Sequence, residues 1–329
     1  MMQYDVISFG SAILDVFVRS PVAKVTKTPL VETHQALVFP YGSKCEVDRL
    51  KICSGGGGTN TAVGFARLGL KAAVVARCGW DFAGKIIRQE LKKEGVDDSL
   101  FVQLEGEKTD FSTILMGPDG GRTILVYRGG TKLEGSVIDL SKLDSRWFYT
   151  TSLEGNLDLM AKLISLAQKK GIKIASNPGR REISQKEKLL KIAQGLDILI
   201  LNREEAAKLT GLLINDEKVF SKIFSLFPKT TVIVTEGNSG VKVNRPGKGS
   251  LQIKGVEVGM VDSTGAGDGF GSGLVAGLAK GFRFEKALKL GVANGAAVVT
   301  RVGSKTGLIK EKEIDNWLNK PMKISRQKK

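Results

Sequence analysis

Short apolar runs alternate along most of the chain with longer stretches in which apolar residues recur at helical spacing. Runs of the first kind, closed by a glycine or a polar turn, are typical of buried strands. Stretches of the second kind fit helices with one buried face. The pattern predicts strands at 5–9, 72–76, 147–151, 172–176, 198–201 and 231–235, and helices at 59–68, 81–94, 157–170, 185–194 and 284–301.

This alternation indicates an α/β fold with a mainly parallel central sheet and helices on both faces. Ligands of such sheets bind beyond the carboxyl ends of the strands. Polar and charged side chains that directly follow the predicted strands are therefore the candidates for a functional site.

Two regions depart from the alternation. The first lies within 15–53 and has short β-like pieces at 36–39 and 46–52. The second lies within 110–130 and has two alternating segments joined by Pro-Asp-Gly-Gly, a hairpin signal. Together they predict a small second sheet, attached to a single α/β domain that spans all 329 residues.

Charge narrows the choice of partners. The chain has 50 basic and 34 acidic residues, a net charge of +16, which attracts ATP and nucleic acid alike. No zinc-finger, RNP-type or heptad pattern accompanies the charge, so no specific nucleic-acid partner is expected. Part of the excess is in the basic tail at 320–329, which is predicted to be solvated and disordered.

Cysteine, histidine and hydropathy patterns narrow the class further. The three cysteines form no CxxC pair, as expected in a reducing cytosol. His34 is the only histidine, which excludes a multi-histidine metal site and leaves one candidate for a Ser-His-Asp triad. The sequence has no apolar run of membrane-span length and no signal-peptide pattern. We therefore expect a cytoplasmic protein without a membrane partner.

The stretch 261–281, VDSTGAGDGFGSGLVAGLAKG, is a glycine turn that leads directly into a helix. The first amides of a helix lack carbonyl partners and carry partial positive charge, so Gly265, Ala266 and Gly267 would bind an anion. Asp268 follows in the same turn. An acid there would repel a phosphate unless it accepts a proton from the group that attacks the phosphate, which points to phosphoryl transfer. The alternative is a glycine-rich loop that opens a buried helix.

The helix behind this turn has glycines at 269, 273, 277 and 281. A spacing of four leaves one nearly smooth helix face. Each interior glycine costs about 1 kcal/mol relative to alanine. We therefore expect a sheet or a second helix to pack closely against that face.

Seven positions of this stretch resemble the D-[ST]-x-G-A-G-D-x-F signature of the ribokinase-like (PfkB) carbohydrate kinases. They are Asp262, Ser263, Gly265, Ala266, Gly267, Asp268 and Phe270. The resemblance implies that Asp268 is the catalytic base and that the amides of Gly265–Gly267 form an anion hole. It also implies ATP and Mg²⁺, and a hydroxymethyl group of a sugar or nucleoside as the acceptor. The small sheet would be a lid over the acceptor and often a dimer contact.

Further motifs resemble the acceptor site of the same family. A G-S-x-x-x-D run, a G-G-x-x-x-N run and a glutamate after a strand supply the implied substrate-binding residues. They are Asp15, Gly55, Gly56, Asn60 and Glu154, and Gly10 and Ser11 match the start of the first run. The ribokinase branch usually has lysine at the position of Gly57. This departure argues against ribose as the acceptor. Standing alone, Asp15 would be a solvated loop residue and the glycine run a linker.

The resemblance also implies a site for the nucleotide and its ions. The implied ATP-binding residues are Asn202, Thr235, Gly237 and Asn294. Glu205 would organise Mg²⁺ through water, and Asp262 would join carbonyls near Thr264 and 299–303 in a site for K⁺ or another monovalent cation. Asn202 and Glu205 also form a capping-box pattern, which needs no metal. Whether Arg180, just past a predicted strand, contacts a phosphate stays open.

Two other classes of function remain to be compared with a kinase. A dinucleotide-dependent oxidoreductase would need a G-x-G-x-x-G motif after the first strand, and the sequence has none there. A non-catalytic sugar- or nucleotide-binding protein, or a nucleic-acid-associated one, could have the same fold. Asp268 favours the kinase, because a pure binding protein needs no base beside an anion site.

Overall fold

The computed structural model describes residues 3–31, 34–130, 132–135 and 138–326. Its strands are β1 (Tyr4–Phe9), β2 (Ile13–Arg19), β3 (Lys24–Lys27), β4 (Gln35–Val38), β5 (Arg49–Gly55), β6 (Ala72–Val75), β7 (Arg77–Gly79), β8 (Val102–Leu104), β9 (Asp110–Met116), β10 (Arg122–Tyr127), β11 (Ser145–Thr150), β12 (Lys173–Ser176), β13 (Ile198–Asn202), β14 (Thr231–Thr235), β15 (Val241–Arg245), β16 (Gly249–Ile253) and β17 (Ile324–Arg326).

The helices are α1 (Gly57–Arg67), α2 (Phe82–Lys93), α3 (Leu157–Lys170), α4 (Arg180–Ile183), α5 (Lys186–Ile192), α6 (Arg203–Thr210), α7 (Lys218–Leu226), α8 (Ala266–Ala279), α9 (Phe284–Val298) and α10 (Ile314–Leu318). Among the residues described, none of these helices has the length and apolar character needed to span a bilayer.

In the described part of the chain, nine strands form one large sheet in the order β17-β16-β15-β14-β13-β12-β11-β1-β6. The neighbours from β14 to β6 run parallel. Those from β14 to β17 run antiparallel. The predicted mainly parallel sheet is confirmed, and the parallel strands end at one common edge where the polar residues predicted for the site follow them.

Each face of the large sheet has its own core, because consecutive residues of a strand point to opposite faces. Phe148 packs into the core formed with α3 to α7. Its neighbour Tyr149 packs into the core formed with α1, α8, α9 and α10. Helix α2 belongs to a third cluster with α1 and β6. Helices therefore cover both faces, as the alternation predicts.

The glycine face of α8 packs directly on α9. A Cβ added at Gly273 would lie 2.7 Å from the carbonyl oxygen of Leu290, and one at Gly277 would lie 2.8 Å from the Cα of Ala287. The expected close partner is thus a second helix. Gly281 does not belong to this face, because it follows the end of α8 with a φ of 79°.

The small sheet is separate from the large one and has the order β10-β9-β2-β5. We call it the lid sheet. It is built from the two regions that the sequence singled out, although β2 begins at Ile13 and β5 extends to Gly55, beyond the predicted limits. Strand β5 is followed directly by α1, so the lid sheet is connected to the edge of the domain where the candidate residues lie.

The C-terminal tail corrects a prediction. The sequence indicated a disordered segment at 320–329, yet Ile324–Arg326 form β17 and pair with β16 at the edge of the large sheet. Met322, which precedes the strand, is buried. The segment is mostly basic, so its two apolar residues, Met322 and Ile324, gave no pattern from which their packing against the domain could be predicted. The last three residues of the segment lie outside the described residues.

Candidate active site

The turn before α8 forms a cluster of amides that we call the anion nest, the backbone N–H groups of Gly265, Ala266 and Gly267. Gly265 is the N-cap residue and has a left-handed backbone, with a φ of 83°. A Cβ there would also lie 2.7 Å from the Cα of Ser304, so both the dihedral angle and the space require glycine. First-turn amides lack carbonyl partners within the helix and can bind an anion, although that of Ala266 makes a long bond, 3.4 Å, to the carbonyl of Ser263 in the preceding turn.

Asp268 lies in the first turn of α8, next to the nest. Its Oδ2 accepts a hydrogen bond from Nδ2 of Asn60 at 2.8 Å. Burial raises the pKa of Asp268, while the bond from Asn60 and the charge of Lys305 act in the opposite direction. A carboxylate with a raised pKa is a better proton acceptor for a hydroxyl group.

Asn60 is fixed at both ends of its amide. Its Oδ1 accepts a hydrogen bond from Oγ of Ser304 at 2.9 Å, so its Nδ2 must face Asp268. The side chain is buried. The structure therefore brings Asn60 to Asp268, whereas the resemblance assigns it to the acceptor. Ser304, which orients Asn60, had no signal in the sequence.

Asp15 projects from β2 into space that two glycines leave open. A Cβ on Gly55 would lie 1.9 Å from Oδ2 of Asp15. Gly56 has a φ of 91°, and a Cβ there would lie 2.4 Å from the carbonyl oxygen of Ser11. The Gly-Gly pair is thus required by the position of the Asp15 carboxylate and by the turn between β1 and β2.

Asp15 is buried, and burial raises its pKa to about 6. A hydrogen bond to Ser112 and the positive charge of Lys305 lower it again, but less. A buried carboxylate without a hydroxyl-rich partner is costly, since desolvation disfavours its charged form. The group is suited to accept hydrogen bonds from a ligand that enters beneath the lid sheet.

Glu154 follows β11 and has a left-handed backbone, with a φ of 57°, which is uncommon outside glycine. Its Oε1 accepts a bond from Nη1 of Arg128 at 3.0 Å, and the same nitrogen donates to Oδ2 of Asp110 at 2.6 Å. Burial raises the pKa of Glu154, and the Asp110 charge adds to this. A small pocket connects this group with the G-S motif. It is lined by Gly10, Ser11, Ala12, Asp110, Leu133, Ser152, Leu153 and Glu154.

Lys305 is a buried cation that sequence reasoning missed. Its ammonium donates to the carbonyl of Ser54 at 3.0 Å and to the Ser54 hydroxyl, and it lies 3.7 Å from Oε1 of Glu90. Burial lowers the pKa of Lys305, and the charge of Glu90 raises it. Its charge in turn lowers the pKa of both Asp15 and Asp268. A lysine in the sequence GSKTG reads as a solvated loop residue, so nothing local predicted this position.

A groove begins at the anion nest. Two of the predicted ATP-binding residues, Thr235 and Gly237, line it together with Ala266 and Gly267. Its apolar wall consists of Val241, Val256, Val258, Met260, Phe270, Val292 and Val299. An apolar groove that opens on an anion site suits a flat base with phosphates attached.

Asn202 and Glu205 form the capping box that the sequence left as an alternative. The backbone N–H of Glu205 donates to Oδ1 of Asn202 at 2.8 Å, and that of Asn202 donates to Oε2 of Glu205 at 2.8 Å. Burial also raises the pKa of Glu205 to about 7, which a nearby cation would reverse. Among the described residues no cluster of three acidic, cysteine or histidine side chains could hold a metal directly. The residues present fit Mg²⁺ only through water or phosphate oxygens.

Asn294 does not line the groove, and its part in nucleotide binding stays a prediction. Its side chain is completely buried between α8 and α9. Nδ2 donates to the carbonyl of Gly269 at 2.8 Å, and Oδ1 accepts from the backbone N–H of Ile309 at 2.9 Å. The amide is used to hold the two helices together. Val292 and Gly295, on either side of it, face the groove instead.

The carboxylate of Asp262 is already occupied by protein donors. Oδ1 accepts bonds from Nη1 of Arg122 at 2.6 Å and from the backbone N–H and Oγ1 of Thr264 at 2.9 and 2.6 Å. Oδ2 accepts the backbone N–H of Gly303 at 3.0 Å. Four protein donors therefore engage a carboxylate that has about four acceptor sites, and three of them share Oδ1.

The loops after β11 and β12 are tied together by Glu182, another residue that the sequence did not single out. It is buried and accepts bonds from the backbone N–H groups of Leu153, Gly155 and Gly179 at 2.8, 2.7 and 2.9 Å. A glutamate that directly follows two arginines reads as exposed. Arg180 begins the short helix α4 at this edge, and its contact with a phosphate stays a prediction.

Comparison with known proteins agrees with this geometry. The family model described as pfkB family carbohydrate kinase matches residues 24–311. A ribokinase from Haemophilus influenzae is 31% identical over 301 residues, 88% of this chain and 96% of the relative. A cytidine kinase from Thermococcus kodakarensis is 28% identical over 276 residues, 81% of this chain and 93% of the relative.

The fold is likewise found among solved structures. The structure of Arabidopsis thaliana ribokinase complexed with ribose and ATP superposes with a TM-score of 0.79 at 20% identity, covering 97% of this chain and 99% of that one. The ribokinase-like fold is thereby confirmed, and an oxidoreductase reading is not supported. The chain belongs to the pfkB family of carbohydrate kinases.

Proposed function

We propose that this kinase transfers the γ-phosphoryl group of ATP to a hydroxymethyl group of a sugar or a nucleoside. The observation that carries the proposal is the position of Asp268, in the same helical turn as the anion nest and oriented by Asn60. A proton acceptor beside an anion site has no purpose in a protein that only binds its ligand. It is suited to activate a hydroxyl that attacks a bound phosphoryl group.

In the proposed reaction Asp268 removes the proton from the acceptor hydroxyl as its oxygen attacks the γ-phosphorus. The bond from that phosphorus to the bridging oxygen of ADP breaks, and ADP leaves. The amides of Gly265–Gly267 stabilise the charge on the transferred group, because they are fixed before the reaction and need not reorient. The groove lined by Thr235 and Gly237 holds the adenine ring of ATP. Asn202 lies at the end of the neighbouring strand.

Mg²⁺ would be held by the phosphates of the nucleotide, with Glu205 as an indirect partner. When bound, it supplies positive charge against the phosphate oxygens. The pKa of Glu205, raised by burial to about 7, supports this assignment, since a carboxyl group of that kind gains from a nearby cation.

The acceptor is proposed to lie between the lid sheet and the edge of the large sheet. Asp15 and Glu154 would accept bonds from its hydroxyl groups, and the glycines at 55 and 56 would let its ring approach the backbone. Asn60 would serve both the acceptor and the base. Four aromatic side chains near this space would decide whether a nucleobase fits, Phe17, Phe39, Tyr41 and Phe111.

We further propose that two copies associate through their lid sheets. Strand β10 is an edge strand, and Ile124, Leu125, Val126 and Tyr127 are 44, 56, 47 and 55% exposed. An apolar edge strand is a template for pairing with another chain. Light scattering during size exclusion should give a dimer for the parent and a monomer for Leu125→Lys; a monomeric parent would reject the proposal.

We also propose that the protein functions in the reducing cytoplasm. Its three free cysteines, Cys45, Cys53 and Cys78, support this location.

A coupled assay for ADP release tests the kinase function. Pentoses, hexoses and nucleosides are added singly to the enzyme with MgATP. At least one acceptor should stimulate ADP release well above the rate with water alone, and the product should carry phosphate on a hydroxymethyl oxygen by ³¹P NMR. Equal rates with and without every acceptor would contradict the proposal.

A further inference from the structure

An arginine of the lid sheet reaches the loop that leads into the anion nest. Arg122 begins β10, the outer strand of the lid sheet. Its Nη1 donates to Oδ1 of Asp262 at 2.6 Å, and its Nη2 donates to Oγ of Ser263 at 3.2 Å. Ser263 also lines the groove that opens on the nest. The contact joins two parts of the molecule that lie 140 positions apart in the chain.

Asp262 is the point at which two loops of the site meet. Its side chain is only 5% exposed, and its other donors are Thr264, on its own loop, and Gly303, on the loop after α9. Burial favours the neutral acid, yet these donors and the Arg122 charge keep the pKa of Asp262 below its ordinary value. Among the donors to this carboxylate, Arg122 is the one with a full positive charge.

The opposite edge of the lid sheet makes a parallel contact. Lys51, on β5, donates to the carbonyl of Val302 and to Oγ1 of Thr306 at 2.7 Å. Both edge strands of the lid sheet thus place a cation on the loops that Asp262 joins. These loops carry the groups that the family resemblance assigns to a monovalent cation, and in this chain cationic side chains already hold them.

We propose that Arg122 is a positioning residue: its guanidinium supplies the positive charge that Asp262 would otherwise take from a monovalent cation, and so holds residues 262–265 in the shape that forms the anion nest. The inference rests on the proposed kinase function. Because Arg122 belongs to the lid sheet, the same contact ties the lid sheet to the loop that forms the nest. Turnover is then independent of K⁺.

Three variants test this. Arg122→Gln removes the charge, Arg122→Lys keeps the charge without the fork, and Arg19→Gln is the matched control. Arg19 is also a lid arginine in an ion pair, but its partner, Asp48, belongs to the same sheet region, so the control removes a lid charge without touching the nest. Each is assayed in KCl and in choline chloride at equal ionic strength.

The parent enzyme and Arg19→Gln should have kcat/KM for ATP that differs less than about twofold between the two salts. Arg122→Gln should lose roughly tenfold to a hundredfold in choline chloride, the range expected for a lost hydrogen bond to a charged group. KCl should restore most of that loss, and Arg122→Lys should lie between. Strong activation of the parent by KCl, or an Arg122→Gln enzyme that behaves like Arg19→Gln, would overturn the inference.

A binding measurement separates this inference from the kinase function itself. Thermal unfolding without substrates should show no difference between KCl and choline chloride for the parent, and a higher Tm in KCl for Arg122→Gln, since the vacated Asp262 then takes the ion. If no acceptor is phosphorylated in either salt, the kinase proposal fails, while the unfolding result still decides whether Arg122 stands in for the cation. Equal Tm values for Arg122→Gln in the two salts would reject it.

Discussion

The anion nest and the lid sheet are held in different ways, although Arg122 joins the lid sheet to the loop before the nest. The nest is backed by two helices in backbone contact, with Gly273 of α8 against Leu290 of α9. The lid sheet has one strand, β10, that is exposed along its whole length. It reaches the rest of the site largely through charged side chains, Arg122, Arg128 and Lys51 among them.

This difference separates two tasks. Phosphoryl transfer needs groups fixed within fractions of an ångström, and close-packed helices provide such rigidity. Acceptor binding needs a surface that can open, and polar contacts at an exposed edge can break and reform. We therefore expect changes at the nest, and at Arg122 which supports it, to act on kcat or on folding, and changes at the other residues of the lid sheet to act on acceptor affinity.

The largest effect is expected from Asp268→Asn in the nest. The variant keeps the size of the side chain and removes the proton acceptor, so kcat should fall by about 10² to 10⁴. Binding of ATP and of the acceptor, measured by calorimetry, should change little. An aspartate in a first helical turn contributes about 0.3–1 kcal/mol to stability, too little to unfold the domain. A folded variant within tenfold of the parent would show that Asp268 is not the base.

A smaller effect is expected from Asp15→Asn on the lid side of the site. Losing hydrogen bonds from acceptor hydroxyls to a charged group should raise the acceptor KM roughly tenfold to a few hundredfold. The ATP affinity should stay the same, because Asp15 lies away from the groove. An unchanged acceptor KM would remove Asp15 from the site.

The pH dependence of the parent sharpens the same test. The pKa of Asp15 is raised by burial to about 6, so the carboxyl is ionised and able to accept two hydroxyl bonds only above that pH. Acceptor KM should rise as pH falls through about 6, and Asp15→Asn should lack this change.

The raised pKa of Asp15 also means that folding favours the neutral form of this carboxyl group. The stability that Asp15 contributes is therefore lost as pH rises through about 6. At pH 8 the asparagine variant should resist urea at least as well as the parent.

Gly273→Leu tests the rigid support of the nest. Its side chain would have to displace the α9 backbone at Leu290, and such overpacking typically costs about 1–3 kcal/mol. The control is Gly259→Leu, since a Cβ at Gly259 meets nothing within 4 Å. Urea unfolding should show a lower midpoint for Gly273→Leu alone. Equal midpoints would mean that α9 does not support α8 as tightly as the structure indicates.

The sequence was sufficient for most of the fold because strong local patterns and global packing agree. Helix α3 has the predicted limits, as has β14, since each has a full apolar face or run closed by clear turn residues. Strand β17 was missed, because three residues in a basic tail have no pattern of their own. Their order comes from pairing with β16, which the local sequence does not encode.

In the site, too, features with a local sequence pattern were predictable and features set by distant contacts were not. The turns at the nest and before α1 were predictable, because Gly265 and Gly56 both have a positive φ that favours glycine. Lys305 and Arg122 were not, since both are charged residues whose partners lie far away in the chain. The burial of Asn294 was not predictable either, because an asparagine in a small-residue helix does not reveal which of the two faces it occupies. Contacts of long range set all three.

The smallest effect is expected from truncation of the C-terminal strand, which is remote from both regions compared above. Removing 324–329 deletes β17 and exposes the side of β16, including Ile253. Ile324 is half-buried, so its loss should lower the free energy of unfolding by about 1 kcal/mol, roughly half the value for full burial of such a side chain. Removing only 327–329 is the control and should leave the urea midpoint unchanged.

Both truncations should keep kcat within twofold of the parent, because neither the nest nor the lid sheet contains β17. A large fall in kcat for the longer truncation, in protein that remains folded, would mean that the strand supports the nucleotide groove through the neighbouring residues Gly255 and Val256, and the tail would then belong with the nest rather than apart from it.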